Sequence, residues 1–227
     1  MEKKQRLAEE RTDFKRWATQ WFARLKAGGP INYVDIRQGG TVRLIAEATV
    51  FDDLRTMASE MNFSPEGAAP ALDTLLGGTK LWWFGPNADA EMYFNVELPH
   101  FWKAGSTIYP HVHWVPSATG TAGHVVKWSL EFTWQNKAGV FGVPLTISGT
   151  AHTPADSALV TRRHYVTDLE AITGTAKEFS SILVCRIFRD ADNVADTYTG
   201  NAGLLAVDFH IEIDSLGSEL LGSKEAT

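Results

Sequence analysis

The stretch Leu205-Ala-Val-Asp-Phe-His-Ile-Glu-Ile-Asp214 alternates apolar and polar side chains along its whole length. Successive side chains of a β-strand point to opposite faces, so the apolar residues share one face and the polar residues share the other. A second stretch, Val126-Lys-Trp-Ser-Leu-Glu-Phe-Thr-Trp134, has the same pattern. Strands of this kind pack one face on a core and present the other to water, a partner or a ligand.

Further apolar runs of strand length surround these two stretches and are bounded by Gly, Pro, Asn and Asp clusters. The runs span residues 80–84, 91–98, 107–115, 124–135, 143–149, 159–169, 180–189 and 203–214. About eight short strands at this spacing are typical of a sandwich, and a jelly roll is their most economical arrangement. We therefore predict a mainly β chain with an antiparallel two-sheet jelly-roll sandwich at residues 80–218 and a tail at 219–227.

Residues 1–26 predict an amphipathic basic helix, because apolar residues recur at spacings of three, four and seven positions before Gly28-Gly29-Pro30. The segment has eight Lys and Arg against four Asp and Glu, whereas the whole chain has a net charge of -6. A basic arm on an acidic body favours docking to another protein, with packing on its own domain or on a membrane surface as alternatives. The candidate partner-binding residues are Leu7, Phe14, Trp17, Trp21, Phe22 and Leu25.

Residues 27–79 predict an extended arm, since glycine and proline clusters interrupt the pattern repeatedly. We expect one strand near Val42 to Val50 and a short helix near Asp52 to Met61. The segment is too apolar for a free linker, so we expect it to lie against a protein surface.

The composition, with 44% apolar and 21% charged residues, is that of a globular chain. No run of eighteen apolar residues and no secretion signal is present, so we expect neither membrane insertion nor export. The single cysteine, Cys185, excludes an intramolecular disulfide, and its apolar neighbours predict a buried, inert thiol.

The sequence His111-Val-His113 places two imidazoles on one face of a predicted strand. Together with Gly105 it resembles the opening of the cupin metal motif, but the segment from Trp114 to Gly120 lacks the acidic ligand expected there. The candidate metal ligands are His111, His113, His210 and Glu212. The other interpretation is structural: the two rings bond across strands to Asp208, to Glu212 or to a backbone carbonyl. We favour this second role and expect no metal and no cofactor.

Catalytic motifs are absent from the sequence. There is no Gly-x-Ser-x-Gly elbow, no phosphate-binding glycine loop and no Cys-x-x-Cys pair. We therefore expect a protein that is not an enzyme.

Three segments resemble a widespread family of tailed-bacteriophage virion proteins that are mostly uncharacterised. The segments are Thr49-Val-Phe-Asp-Asp-Leu-Arg55, the block from Leu98 to Trp114, and the block from Ile172 to Gly217. The resemblance covers about residues 48–218. It implies a virion component with a jelly-roll body and says little about residues 1–47.

On this interpretation the chain is a head decoration, neck or tail attachment protein, anchored through its N-terminal helix and arm to a repeated virion surface. The expected partners are other virion proteins and further copies of the chain, with a trimer as one candidate, and neither nucleic acid nor membrane. The protein would be assembled in the host cytoplasm. The alternatives are a receptor- or carbohydrate-binding tail or fibre module and a cupin-like metal-dependent enzyme.

Overall fold

The structure is a computed structural model that describes residues 24–37, 41–63, 68–149, 158–218, 220–221 and 223–224. Within these residues the chain is mainly β, with two short 3-10 helices at Ala46–Ala48 and Ala58–Glu60. The strands are β1 Arg24–Gly28, β2 Tyr33–Arg37, β3 Val42–Ile45, β4 Val50–Met57, β5 Ala71–Leu76, β6 Thr79–Phe84, β7 Glu91–Glu97, β8 Tyr109–Pro116, β9 Trp128–Gln135, β10 Leu145–Ser148, β11 Tyr165–Asp168, β12 Ile182–Arg189 and β13 Ala202–Ile213. No helix in the described ranges is long and apolar enough to cross a membrane.

The chain divides into two compact units. The first contains the residues up to Phe51, Pro99–Lys103 and the residues from Glu212 onward; its described part includes a sheet in the order β1-β2-β3. The second unit, Asp52–Leu98 with Ala104–Ile211, contains most of the remaining strands.

The second unit is built on two antiparallel sheets. One has the order β10-β9-β12-β7, and the other has the order β11-β8-β13-β6-β5, with β4 also paired to β13. Strands β6 to β13 correspond one by one to the eight predicted segments, so the prediction of a two-sheet, mainly β body is confirmed. Side chains of the two sheets meet in the core: the ring centroids of Phe84 and Trp128 are 5.0 Å apart, and those of Phe94 and Phe209 are 6.3 Å apart.

The alternation predicted for β9 is confirmed, since Trp128, Leu130, Phe132 and Trp134 are all buried. In β13 the prediction fails at its first residue. The register against β8 shifts between Leu204 and Ala206, and this irregularity leaves Leu204 buried and Leu205 only half-buried. An irregularity of this kind changes which face a residue occupies, and the sequence pattern gave no sign of it.

The prediction of a helix at residues 1–26 is wrong at its C-terminal end, because Leu25 lies in strand β1. The other five candidate partner-binding residues lie outside the described residues, and so does the rest of that helix. Gly28 has a φ of 127°, and the amide of Gly29 donates to the carbonyl of Asn32 at 2.9 Å. Glycine tolerates this backbone angle, so Gly28-Gly29-Pro30 forms a turn between two strands and does not end a helix.

The prediction of an extended arm with one strand at residues 27–79 also needs correction. This part of the chain contains strands β2, β3, β4 and β5. The short helix predicted near Asp52 to Met61 is wrong, since Val50–Met57 is strand β4 and only Ala58–Glu60 forms a 3-10 turn. Pairing of β4 with β13 satisfies the backbone groups on one edge of β4, and such long-range pairing overrides the local sequence preference.

Candidate functional site

Strands β8 and β13 bring a histidine pair and a carboxylate together on the polar face of their sheet. His111 is opposite Asp208 in the antiparallel register, and His113 is opposite Ala206. His111 is 6% exposed and Asp208 is 0% exposed. Strand β4 pairs with β13 and covers part of this polar face. Its Arg55 contacts Asp208, and its Asp53 contacts His210.

Asp208 is at the centre of this cluster. Its Oδ2 accepts a hydrogen bond from Nε of Arg55 at 2.9 Å, and the same oxygen lies 3.3 Å from Nε2 of His113 and 3.8 Å from Nε2 of His111. The carboxylate in turn raises the pKa of the Arg55 guanidinium above its ordinary value. Oδ1 of Asp208 is buried and has no hydrogen-bond partner among the described residues. A buried carboxylate oxygen without a donor is costly, so this atom requires an explanation.

Two further histidines extend the cluster. Nδ1 of His113 lies 2.7 Å from Nε2 of His164, and Nε2 of His210 lies 2.6 Å from Oδ1 of Asp53. The ring centroid of His111 is 4.9 Å from that of His113 and 4.5 Å from that of His210. Four imidazoles and two carboxylates therefore form one cluster, which we call the histidine–aspartate cluster: Asp53, His111, His113, His164, Asp208 and His210.

Burial lowers the pKa of both His111 and His113 below the ordinary histidine value. For His111 the neighbouring His210 acts in the same direction, while Asp208 opposes the shift for both rings. Neutral rings are thus favoured around neutral pH, and a neutral imidazole keeps one nitrogen lone pair available as a metal ligand or hydrogen-bond acceptor.

Among the described residues, two sets of three have ligand atoms that all lie within 4.8 Å of one another. One set is His111, His113 and Asp208, and the other is Asp53, His111 and His210. Each offers imidazole nitrogen and carboxylate oxygen, the donor types that suit divalent first-row transition metals.

The structure places three of the four candidate ligands named from the sequence, His111, His113 and His210, in this cluster. Glu212 belongs to neither ligand set. It lies in the first unit, where its Oε1 accepts hydrogen bonds from Nζ of Lys103 at 2.7 Å and Oγ1 of Thr49 at 2.5 Å. Burial raises its pKa, but these two hydrogen bonds and the charge of Lys103 together hold the pKa below the ordinary glutamate value.

Sequence reasoning identified Asp208 as a partner of the histidine pair but missed Asp53 and His164. Asp208 was recognisable because it lies on the polar side of an alternating strand. Asp53 reaches the cluster through the pairing of β4 with β13, and His164 immediately precedes β11, which pairs with β8. No local pattern in the sequence signals either contact.

A separate groove of about 410 Å³ lies along β4 and β7 in the second unit. Most of its lining side chains carry polar or charged groups. They are Leu54, Arg55, Thr56, Glu60, Asn62, Phe94, Asn95, Val96 and Glu97.

The fold and the site together define a mainly β protein with a histidine–aspartate cluster on one sheet, in which His111 and Asp208 are buried. No protein-family model and no curated protein sequence matches the chain.

Among solved structures, the chain is similar to TmCBM61 in complex with beta-1,4-galactotriose, with 14% identity, a TM-score of 0.32, and coverage of 70% of this chain and 94% of that one. It is similar to the enzymatically active domain of bacteriophage CBA120 tailspike protein 4, with 5% identity, a TM-score of 0.31 and coverage of 70% and 19%. It is also similar to the CBM22-2 xylan-binding domain of Paenibacillus barcinonensis Xyn10C, with 16% identity, a TM-score of 0.32 and coverage of 60% and 88%. These TM-scores are too low to assign a fold family or a function.

Proposed function

We propose that this chain is a structural component of a tailed-bacteriophage virion and that its sandwich serves binding and assembly, not catalysis. The proposal rests on one observation: the three segments with the family resemblance contact one another in the structure. The segment Thr49 to Arg55 supplies Asp53 and Arg55, the block from Leu98 to Trp114 supplies His111 and His113, and the block from Ile172 to Gly217 supplies Asp208 and His210.

The six residues come in three pairs from distant segments of the sequence and lie in one set of direct contacts. Arg55 binds Asp208, Asp53 binds His210, and the two β8 histidines face Asp208. A resemblance confined to short ordered blocks is expected when those blocks form one structural unit. The contacts therefore support membership of the virion family over a chance likeness of three separate segments.

The strand order supports a jelly-roll body for this component. With β6 to β13 numbered one to eight, the sheets have the orders 1-8-3-6 and 2-7-4-5. The connection from β9 to β10 stays within a sheet, while each other connection crosses to the opposite sheet. We take this arrangement as a jelly roll, a fold used by viral capsid proteins and by lectin domains.

We propose that the anchor of this component lies upstream of Arg24, where the sequence contains several basic and several large aromatic residues. Attachment of many copies to a repeated capsid, neck or tail surface needs only modest affinity from each copy. A homo-oligomer of the body would increase the avidity further.

The test is quantitative mass spectrometry of gradient-purified particles from the phage that encodes the chain. We expect a fixed copy number per particle, and a sharp loss of incorporation for a chain that lacks residues 1–23. The matched control is Val194→Ala, which alters a side chain that is 96% exposed on the body and should leave incorporation unchanged. Absence of the full-length chain from purified particles would overturn the proposal.

The groove along β4 and β7 favours a second candidate, a receptor- or carbohydrate-binding module of the tail or fibre. Asn95 and Glu97 are exposed in this groove beside Asn62 and Arg55, and amide, carboxylate and guanidinium groups together can bond sugar hydroxyls. The test is glycan-array binding of the full chain. Asn95→Ala and Glu97→Gln should abolish any binding seen, whereas Glu170→Gln, at an exposed position outside the groove lining, should not. Binding that survives both groove variants would exclude this site.

A further inference from the structure

We propose that His111, His113 and Asp208 bind one divalent first-row transition-metal ion and that His164 orients His113 for this role. The proposal concerns the second unit only and does not depend on the virion assignment. The ion would connect β8 to β13.

The separations of the ligand atoms fit a single ion. Two ligands about 2.0–2.1 Å from one tetrahedral zinc ion lie about 3.3 Å from each other. In the structure Nε2 of His113 and Nε2 of His111 lie 3.3 Å and 3.8 Å from Oδ2 of Asp208. Two histidine nitrogens and a carboxylate are thus placed at nearly the required spacing.

Two buried polar atoms in this set lack hydrogen-bond partners among the described residues. They are Oδ1 of Asp208 and Nε2 of His113. Because Asp208 is 0% exposed, its free oxygen has no access to bulk water. An ion between the Asp208 carboxylate and His113 would bind Nε2 of His113 and would place a positive charge beside the carboxylate, whereas hydrogen bonding within the described structure leaves both atoms unsatisfied.

The contact with His164 accounts for the orientation of the His113 ring. Nδ1 of His113 and Nε2 of His164 share a hydrogen bond of 2.7 Å, and we assign its proton to Nδ1 of His113 because Nε2 of His113 has no hydrogen-bond partner among the described residues. Nε2 of His113 then presents its lone pair toward the Asp208 carboxylate. A lone pair that faces a carboxylate is favourable only with a cation between them, and metal-binding histidines commonly use the second nitrogen in this way.

The other set of three residues is a weaker candidate. Asp53 and His210 already pair with each other at 2.6 Å, and the side chain of His210 is 49% exposed. Binding an ion there would require this pair to separate, while His111, His113 and Asp208 need no pair to be broken among themselves.

Arg55 does not prevent binding, because its Nε donates one hydrogen bond to Oδ2 of Asp208 and a carboxylate oxygen has a second lone pair for an ion. The charges also fit a divalent ion. Asp53 and Asp208 provide two negative charges in the cluster, against one positive charge from Arg55. Three protein ligands leave a coordination position open for water, as in other three-ligand sites.

The experiment uses the tag-free full chain, stripped with EDTA and titrated with Zn²⁺ by isothermal calorimetry. Native mass spectrometry then counts the bound ions, and Co²⁺ absorption spectra report nitrogen and oxygen ligation. We expect one ion per chain. His113→Ala and Asp208→Asn should each weaken binding by more than about 100-fold, and His164→Ala by about 10- to 100-fold because it removes only the orienting contact.

The matched control is His124→Ala, which removes a histidine outside the cluster and should leave the affinity unchanged. Far-UV circular dichroism of each variant checks folding, and His113→Gln replaces His113→Ala if the alanine variant unfolds. Three results would each overturn the proposal: no ion bound by the native full chain, tight binding retained in both His113→Ala and Asp208→Asn, or loss of binding in His210→Ala with retention in His113→Ala.

Discussion

Arg189 and Asp196 form a bidentate ion pair that is closed off from water. Nε of Arg189 donates to Oδ2 of Asp196 at 2.8 Å, and Nη2 donates to Oδ1 at 2.7 Å. The two side chains are 0% and 2% exposed. The guanidinium also donates to the carbonyls of Phe84, Tyr198 and Gly200. The pair therefore attaches the connection between β12 and β13 to the last residue of β6, Phe84.

Asp196→Asn should destabilise the protein by about 3–5 kcal/mol, because it leaves the buried Arg189 charge without its counterion. Urea unfolding followed by tryptophan fluorescence measures this change. Asp192→Asn is the matched control, since Asp192 is an exposed aspartate in the same loop and should change stability by less than about 0.5 kcal/mol. Equal stability of the two variants would show that the ion pair does not support the fold.

Leu130→Ala should destabilise the protein by about 2–5 kcal/mol, because Leu130 is 0% exposed in the middle of β9 and its truncation leaves a cavity. Val140→Ala provides the comparison, since Val140 is 87% exposed and its truncation opens no cavity. The midpoints of urea denaturation for both variants test the prediction. A loss of stability in Val140→Ala as large as that in Leu130→Ala would contradict the assignment of the core.

The stability of the metal-free protein should fall between about pH 7.5 and about pH 5.5. Burial lowers the folded-state pKa of His111 and His113, so the unfolded chain protonates these rings at a higher pH than the folded chain does. The stability linked to the neutral rings is therefore fully present above about pH 6.5 and is lost as the pH falls through the lowered folded values. Urea unfolding in EDTA at both pH values measures the loss.

The double variant His111→Gln, His113→Gln should show a smaller loss over the same pH range. Glu91 and Glu212 do not explain a change there, because their pKa values are lowered from 4.5 and affect stability only in more acidic solution. An unchanged pH dependence in the double variant would assign the effect to other groups.

Cys185 should not react with Ellman's reagent in the folded protein. The thiol is buried at the centre of β12, and burial raises its pKa far above the ordinary cysteine value, so the reactive thiolate is scarcely formed. In denaturant one thiol per chain should react at the rate of a free cysteine. Rapid modification under native conditions would mean that β12 opens readily or is less buried than the structure shows.

Local patterns in the sequence were sufficient to predict the eight strands of the sandwich. The alternation in Val126 to Trp134 identified the buried face of β9. A strict two-residue period of apolar side chains indicates a β-strand with one buried face. The same rule misplaced Leu205, since the register shift beside it depends on the fit of β13 to β8.

The N-terminal part of the chain shows where such reasoning fails. Asp52 to Met61 was predicted as a short helix, yet most of it lies in strand β4. Its conformation depends on the free backbone groups of β13, which is distant in sequence. Pairing with a strand that is distant in sequence cannot be predicted from the local pattern of residues.

The sequence by itself determined the eight strands of the sandwich, the buried face of β9, the burial of Cys185 and the shared face of His111 and His113, because each follows from side chains close together along the chain. Only the tertiary structure decided that Glu212 pairs with Lys103 and that His210 joins the cluster through Asp53. It also decided that Asp208, on a nominally polar face, is buried under β4. Strand pairing between distant segments determines how deeply each histidine and aspartate is buried and how far apart their side chains lie. These two quantities decide whether the residues form a candidate site.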